Sequence, residues 1–289
     1  MTLLPDETCK ALQHFKPALI FFDIDGTLLN TQGNYSHYLV QQLARLKDKG
    51  IKLAIASGRP AIATRFLSDH LPITDAGLYC TGAELYDPSR QKTLKLHSLD
   101  KKRITDLYDF VCAHQIYCEF YTQDFFTLDP LDQAQQALAQ LHGDHLRVSP
   151  QYHGVDSLLN SSQAITKLLL GCYEPTQGAL LNALPTQFPE LDFAFAYFLA
   201  KPDWLFASVT STAADKHRGF EQLIDYHQVS ADQVMAFGDS PSDQVFLSLA
   251  GMGVAMGNAR QAVKDCADIV SLSSDDDGVA QCLRWIALD

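Results

Sequence analysis

The apolar and polar positions along the chain fall into a repeating pattern. ALIFFDI at 18–24 is a continuous apolar run of strand length, the pattern of a strand buried on both faces. A turn-rich stretch follows, and then SHYLVQQLARLKDKG, where Ser36 suits a helix N-cap, Leu39, Leu43 and Leu46 keep helical spacing, and Gly50 suits the stop. KLAIAS at 52–57 predicts a second buried strand, AIATRFLSDH a helix opened by Pro60, and GLYCTGAELYD a third strand. Strand, helix, strand, helix, strand is the signature of an open parallel α/β sheet.

After about Glu84 the pattern changes. Strands rich in Tyr and Phe are predicted at 94–99, 116–128, 166–173 and 191–200, with helices near 101–114, 131–142 and 176–188. Several strands follow one another with only turns between, which fits an α+β layer. The parallel pattern resumes with a helix in DKHRGFEQLIDYH and strands in QVMAFGDS, GMGVAM and DIVSL. The predicted fold is therefore α/β: a doubly wound, Rossmann-like parallel-sheet core at 1–83 and 211–289, interrupted by an inserted α+β cap domain at 84–210. Phe120, Tyr121, Phe125 and Phe126 are expected in the core of the insertion, and His142 and His145 on a surface turn around Gly143.

Composition narrows the function. With 22 Lys+Arg against 34 Asp+Glu, the formal charge is −12, which argues against broad nucleic-acid binding. An anionic ligand stays open, because a site needs only local positive charge. The 47% apolar content supplies a core. Seven cysteines without C-x-x-C or zinc-like spacing predict reduced thiols. No signal peptide and no membrane-spanning run is evident, so a cytoplasmic protein is expected.

The chemistry concentrates at strand ends. Asp23 and Asp25 sit two residues apart at the carboxyl end of the first buried strand, so both can face the crevice where open α/β sheets place ligands. Gly26 permits the exit turn. Ser57 and Gly58 follow the second strand beside a helix N-terminus, a natural phosphate cradle. Asp239 and Asp243 follow a later strand four positions apart, and Lys216 lies at a helix start. Asp23, Asp239 and a phosphate monoester would gather several negative charges, each pair about 4 Å apart repelling by roughly 4 kcal/mol at an effective dielectric near 20. That assembly requires a divalent cation and a positive side chain. Oxygen-only donors favour Mg2+, and Lys216 supplies the positive charge.

In order along the chain, DIDGTLL, ASGR, the Lys216 segment and GDSPSD resemble the four motifs of the haloacid dehalogenase superfamily, and the GMGVAMGNA and DDDGVAQCL tails resemble its Cof-type branch. The resemblance implies a phosphatase with a large α/β cap, acting on a small phosphorylated metabolite such as a sugar phosphate or phosphorylated cofactor. It implies that Asp23 is the nucleophile and forms an aspartyl-phosphate, and that Asp25 is the general acid and base, its pKa raised by burial and nearby anions. Ser57, Gly58 and Lys216 would hold the phosphoryl group. Mg2+ would be held by Asp23, the carbonyl of Asp25, and Asp239, with Asp243 in support.

Two departures stand out. Ser240 and Ser242 replace the Gly and Asn usual in the last motif, where GDSP looks like the mannosyl-3-phosphoglycerate phosphatase branch. Thr81 stands where Asn is common. A phosphomutase on the same scaffold, or a non-catalytic phospholigand-binding protein, are the alternatives. Oligomeric state is not legible.

Overall fold

The computed structural model describes residues 4–130, 132–152, 154–198 and 201–287. They form two compact units: one holds residues up to Gly58, Arg65–Leu94 and the chain from Asp215 onward, the other Arg59–Thr64 and Lys95–Ala214. No helix among the described residues is long and apolar enough to cross a membrane. All seven cysteines are free thiols, as expected.

The first unit is built on an eight-stranded sheet of β1 (Leu19–Phe22), β2 (Lys52–Ala56), β3 (Asp75–Tyr79), β4 (Glu84–Asp87), β5 (Lys92–Leu96), β11 (Val234–Gly238), β12 (Met252–Ala255) and β13 (Ile269–Val270). Their order is β13-β12-β11-β1-β2-β3-β4-β5, and every pair from β13 to β3 is parallel. The helices of this unit are α1 (Asp6–His14), α2 (His37–Asp48), α3 (Arg65–Ser68), α8 (Lys216–His227), α9 (Gln244–Leu249), α10 (Gln261–Lys264) and α11 (Gly278–Leu283). All four residues of β1 are buried, the outcome expected for an apolar run covered on both faces. Ser36 Oγ caps α2 by accepting from the Leu39 N–H at 2.9 Å, and Leu39, Leu43 and Leu46 turn inward.

The sheet winds outward from β1 in both directions. From β1 the chain moves to β2 and β3 on one side, and later returns to β11, β12 and β13 on the other. Between β1 and β11 the winding reverses, and that switch point is where such sheets open a crevice. Phe22 pairs with both Phe237 and Ile55, so the three central strands end at nearly the same level.

The second unit contains β6 (Tyr117–Tyr121), β7 (Phe126–Thr127), β8 (Lys167–Tyr173), β9 (Leu191–Phe198) and β10 (Lys201–Ser211), in the order β7-β6-β8-β10-β9, with every pair antiparallel. Its helices are α4 (Lys101–Ala113), α5 (Gln133–Leu146), α6 (Val155–Leu159) and α7 (Glu174–Gln187). Period-two alternation divides the sheet between two cores. Cys118, Phe120, Leu168 and Leu170 pack with Ile104, Leu107, Leu181 and Leu184 from α4 and α7. Tyr117, Tyr121, Leu169 and Phe206 pack with Leu138, Ala139 and Leu146 from α5. Phe120, Tyr121 and Phe126 are fully buried and Phe125 is half-buried, so the aromatic cluster is core, as expected.

Several predicted elements differ from those observed. The run at 77–87 is two strands, because Cys80 and Thr81 adopt left-handed φ of 48° and 58° and reverse the chain into antiparallel β4. Continuous apolar character on both sides hides that turn. The helix expected after Pro60 is a 3-10 turn, Ala61–Thr64, followed by the short α3. The strand expected at 116–128 splits into β6 and β7 around a turn in which Thr122 Oγ1 accepts from the N–H groups of Asp124 and Phe125. Beyond the strand predicted at 191–200, whose residues 199 and 200 lie outside the described residues, β10 continues the sheet unannounced. Helices α1 and α6 were not predicted.

His142 is not on a surface turn. It lies in the last turns of α5, and its Nδ1 is 2.8 Å from Glu119 Oε2. Glu119, with no exposed surface, also accepts from the hydroxyls of Tyr117 and Tyr121, which flank it on the same face of β6. Replacing Glu119 by Ala removes the carboxylate that the Tyr117 hydroxyl donates to and leaves the Tyr121 hydroxyl with His142 Nδ1 at 3.2 Å, a loss expected to reach about 3 kcal/mol. Urea unfolding checks this: Glu119→Gln, which keeps an acceptor, should lose clearly less than Glu119→Ala.

Candidate active site

The end of β1 delivers Asp23 into the crevice. Its N–H still donates to the Phe237 carbonyl of β11 at 3.0 Å, so its backbone is an extension of the sheet, and its side chain is buried. The chain then turns sharply, with the Leu29 and Thr27 N–H groups returning to the Ile24 carbonyl at 2.8 and 3.3 Å. Gly26 is required there twice over. Its φ is +77°, and a Cβ would stand 2.4 Å from Asp239 Oδ2.

The end of β11 delivers the second and third carboxylates. Asp243 Oδ2 accepts from the N–H groups of Asp239 and Ser240 at 3.2 and 2.9 Å and from Ser240 Oγ at 2.7 Å. Its other oxygen, Oδ1, accepts from Lys216 Nζ at 3.2 Å, both side chains being buried. Gly238 makes room for this fold-back, since a Cβ there would fall 2.4 Å from that of Asp243. Lys216 is the first residue of α8, whose N-cap Asp215 accepts from the N–H groups of His217 and Arg218. The helix dipole disfavours a cation at that end, and Asp243 offsets it.

Lys216 also donates to Ser242 Oγ at 3.2 Å, and Ser240 and Ser242 hydroxyls lie 2.9 Å apart. The two serines that depart from the usual motif thus form a hydroxyl pair that holds the lysine and its carboxylate partner. On the other side of β1, Ser57 follows β2, buried, its N–H donating to the Leu78 carbonyl at 2.9 Å. Its carbonyl accepts from the Thr81 N–H at 3.3 Å, and the open face of Gly58 lies against Thr81 Oγ1. Thr81 occupies the left-handed region that Asn tolerates better, which is the cost of the departure at this position.

One oxygen each of Asp23, Asp239 and Asp243 falls within 4.8 Å of the others. Burial raises the Asp23 carboxyl well above its usual range, Asp243 and Asp239 add to the rise, and Lys216 opposes it. Burial and Asp243 push Asp239 up to about 7, against the hydrogen bond from Thr27. Three oxygen donors this close, two of them reluctant to ionise, fit a hard divalent cation that would supply the missing positive charge. The carboxylate of Asp25 lies outside this group and is exposed. The burial expected of the Asp25 side chain is not observed.

Residues 20–283 match the haloacid dehalogenase-like hydrolase family. The chain belongs to that family. Among its relatives is the 5-amino-6-(5-phospho-D-ribitylamino)uracil phosphatase YitU of Bacillus subtilis, 26% identical, with 93% of this chain and 97% of the relative covered. Another is the pyridoxal phosphate phosphatase YbhA of Escherichia coli, 25% identical over 91% of this chain and 96% of that protein. A haloacid dehalogenase-like hydrolase from Bacteroides thetaiotaomicron is similar in structure, with a TM-score of 0.82 and 25% identity over 94% of this chain and all of that one. With phosphatases matching it nearly end to end, this haloacid dehalogenase-like hydrolase is a phosphatase.

Thr27 and Asn258, which the sequence reading passed over, also reach the carboxylate group. Thr27 Oγ1 donates to Asp239 Oδ1 at 3.3 Å, and Asn258 Nδ2 to Asp239 Oδ2 at 3.3 Å. Thr27 adjoins the first motif, and Asn258 stands in the GNA of the tail, so each had a positional signal but no chemical one.

The raised pKa values set a pH dependence. In the unfolded chain these carboxyls ionise near pH 4. Between there and about 7, the folded metal-free protein binds more protons than the unfolded chain, so its stability falls as pH rises. A cation that binds the ionised form reverses the loss. Mg2+ is therefore expected to raise the melting temperature more at pH 8 than at pH 5.5, and to displace protons when titrated calorimetrically at pH 6. Equal thermal shifts at the two pH values would count against this electrostatic account.

Proposed function

We propose that this phosphatase is a Mg2+-dependent phosphomonoesterase that hydrolyses a small phosphorylated metabolite through an aspartyl-phosphate on Asp23. The observation that carries the reading is the buried carboxylate of Asp23 at the end of β1, grouped with Asp239 and Asp243, with Lys216 paired to Asp243. Asp23, Asp239 and the main-chain carbonyl of Asp25 would hold the cation, which supplies charge stabilisation at the phosphoryl oxygens. Asp243 acts through the N–H groups and lysine that it orients.

In this reading an oxygen of Asp23 attacks phosphorus, and the bond from phosphorus to the metabolite oxygen breaks. Asp25 gives that oxygen its proton. Water then attacks the same phosphorus, Asp25 takes the water's proton, and the Asp23–phosphorus bond breaks to release inorganic phosphate. Ser57 and the Gly58 N–H would bind the phosphoryl oxygens with Lys216, so positioning and charge supply most of the acceleration. The insertion between Ser57 and Lys216 would act as a cap and select the metabolite, for which sugar phosphates and phosphorylated cofactors are the leading classes. YitU and YbhA, by their names, act on compounds of this kind.

Release of inorganic phosphate from a metabolite panel with Mg2+ present tests the reading. Asp23→Asn should lower turnover at least about a thousandfold and Asp25→Asn by about a hundredfold or more. Hydroxylamine should trap the phosphorylated wild type as a hydroxamate at Asp23. Wild-type turnover no faster than that of Asp23→Asn would point to a binding protein, and an isomerised product without free phosphate to a mutase.

A further inference from the structure

Asn258 lies on an exposed turn after β12, yet its side chain makes three hydrogen bonds to three separate parts of the chain. Its Nδ2 donates at 2.9 Å to the Gly26 carbonyl in the turn leaving β1, and at 3.3 Å to Asp239 Oδ2 after β11. Its Oδ1 accepts at 2.9 Å from the Ser274 N–H, at the start of the 3-10 turn Ser274–Asp276. That turn is also tied to the chain beyond Gly26. Asp275 Oδ1 accepts from the N–H and Oγ1 of Thr31, each at 2.9 Å, and Asp277 Oδ2 accepts from Ser36 Oγ at 2.6 Å.

Asp239 is only half-buried, so packing alone does not set its rotamer. Its Oδ2 sits over the bare Cα of Gly26, where a Cβ would be 2.4 Å away, and Asn258 closes it from the other side. Thr27 takes the remaining oxygen. Both donors are neutral. They orient the carboxylate without supplying a positive charge that would compete with a cation, as a lysine or arginine here would.

We propose that Asn258 is a positioning residue that fixes the Asp239 carboxylate for cation binding and locks the Gly26 turn to the C-terminal segment. The inference rests on the reading of Asp239 as a cation ligand. Loss of the amide frees Asp239 to rotate toward water and leaves the Gly26 carbonyl without this donor, so cation affinity falls while the reacting groups stay in place.

Calorimetric titration of Mg2+ into the full-length protein reads this directly, alongside phosphate release at varied Mg2+. Asn258→Ala is expected to weaken Mg2+ binding about tenfold or more. The Mg2+ concentration for half-maximal turnover should rise by the same factor, with kcat at saturating Mg2+ and KM for substrate nearly unchanged. Asn258→Ser, a smaller polar replacement, is read by the same criteria if the alanine variant does not fold. Wild-type Mg2+ affinity in the folded variant would overturn the role of Asn258, as would a lower kcat that saturating Mg2+ does not restore. A wild-type protein that binds no Mg2+ would overturn the ligand reading and this inference together.

Discussion

Three carboxylates crowd into a few ångströms at the ends of two neighbouring strands, and their mutual repulsion is the constraint that organises the core unit. Alone, such a cluster would swing apart into water or remain protonated. Here the Lys216 ammonium and the N–H groups of residues 239 and 240 grip Asp243 on both of its oxygens. That grip turns one acid into the fixed centre on which the other two are arranged. Burial first, and the neighbouring acids after it, displace the Asp23 and Asp239 carboxyls upward. A site whose acids ionise reluctantly in this way is predisposed to bind a cation that favours their ionised form, and then an anion.

The sheet does the positioning. Because β11, β1 and β2 end at one level, the residues just past each strand meet without long loops, and the main chain rather than flexible side chains sets their spacing. At the site, a Cβ on Gly26 would collide with the Asp239 side chain and one on Gly238 with that of Asp243. At the positions where this chain departs from the family's usual motif, the Ser240 and Ser242 hydroxyls lie 2.9 Å apart and Ser242 Oγ accepts from Lys216 Nζ at 3.2 Å.

Legibility followed the strength of local signals. Continuous apolar runs announced β1 and β2 because burial on both faces leaves no polar position to obscure them. The turn at Cys80 and Thr81 was invisible, since neither residue advertises a left-handed backbone and the flanking residues read as one strand. His142 looked like part of a Gly-containing surface turn, yet Gly143 sits inside α5 and packs against the Val148–Pro150 segment. Only the partner strand, with Glu119, explains why a histidine is placed there.

From its residues in order, the chain declares a parallel α/β core with an insertion, the acids at its strand ends and the chemistry they suit. Each of these depends on near neighbours: periodicity, short motifs and the charge that adjacent acids impose on one another. Tertiary structure alone decided that Asp243 pairs with Lys216, that Asp25 faces solvent while Asp23 is buried, and that Thr27 and Asn258 converge on Asp239. Those are contacts between segments up to some two hundred residues apart, such as Thr27 with Asp239. Hydrogen-bond geometry acts over about 3 Å, and no pattern within one segment encodes it.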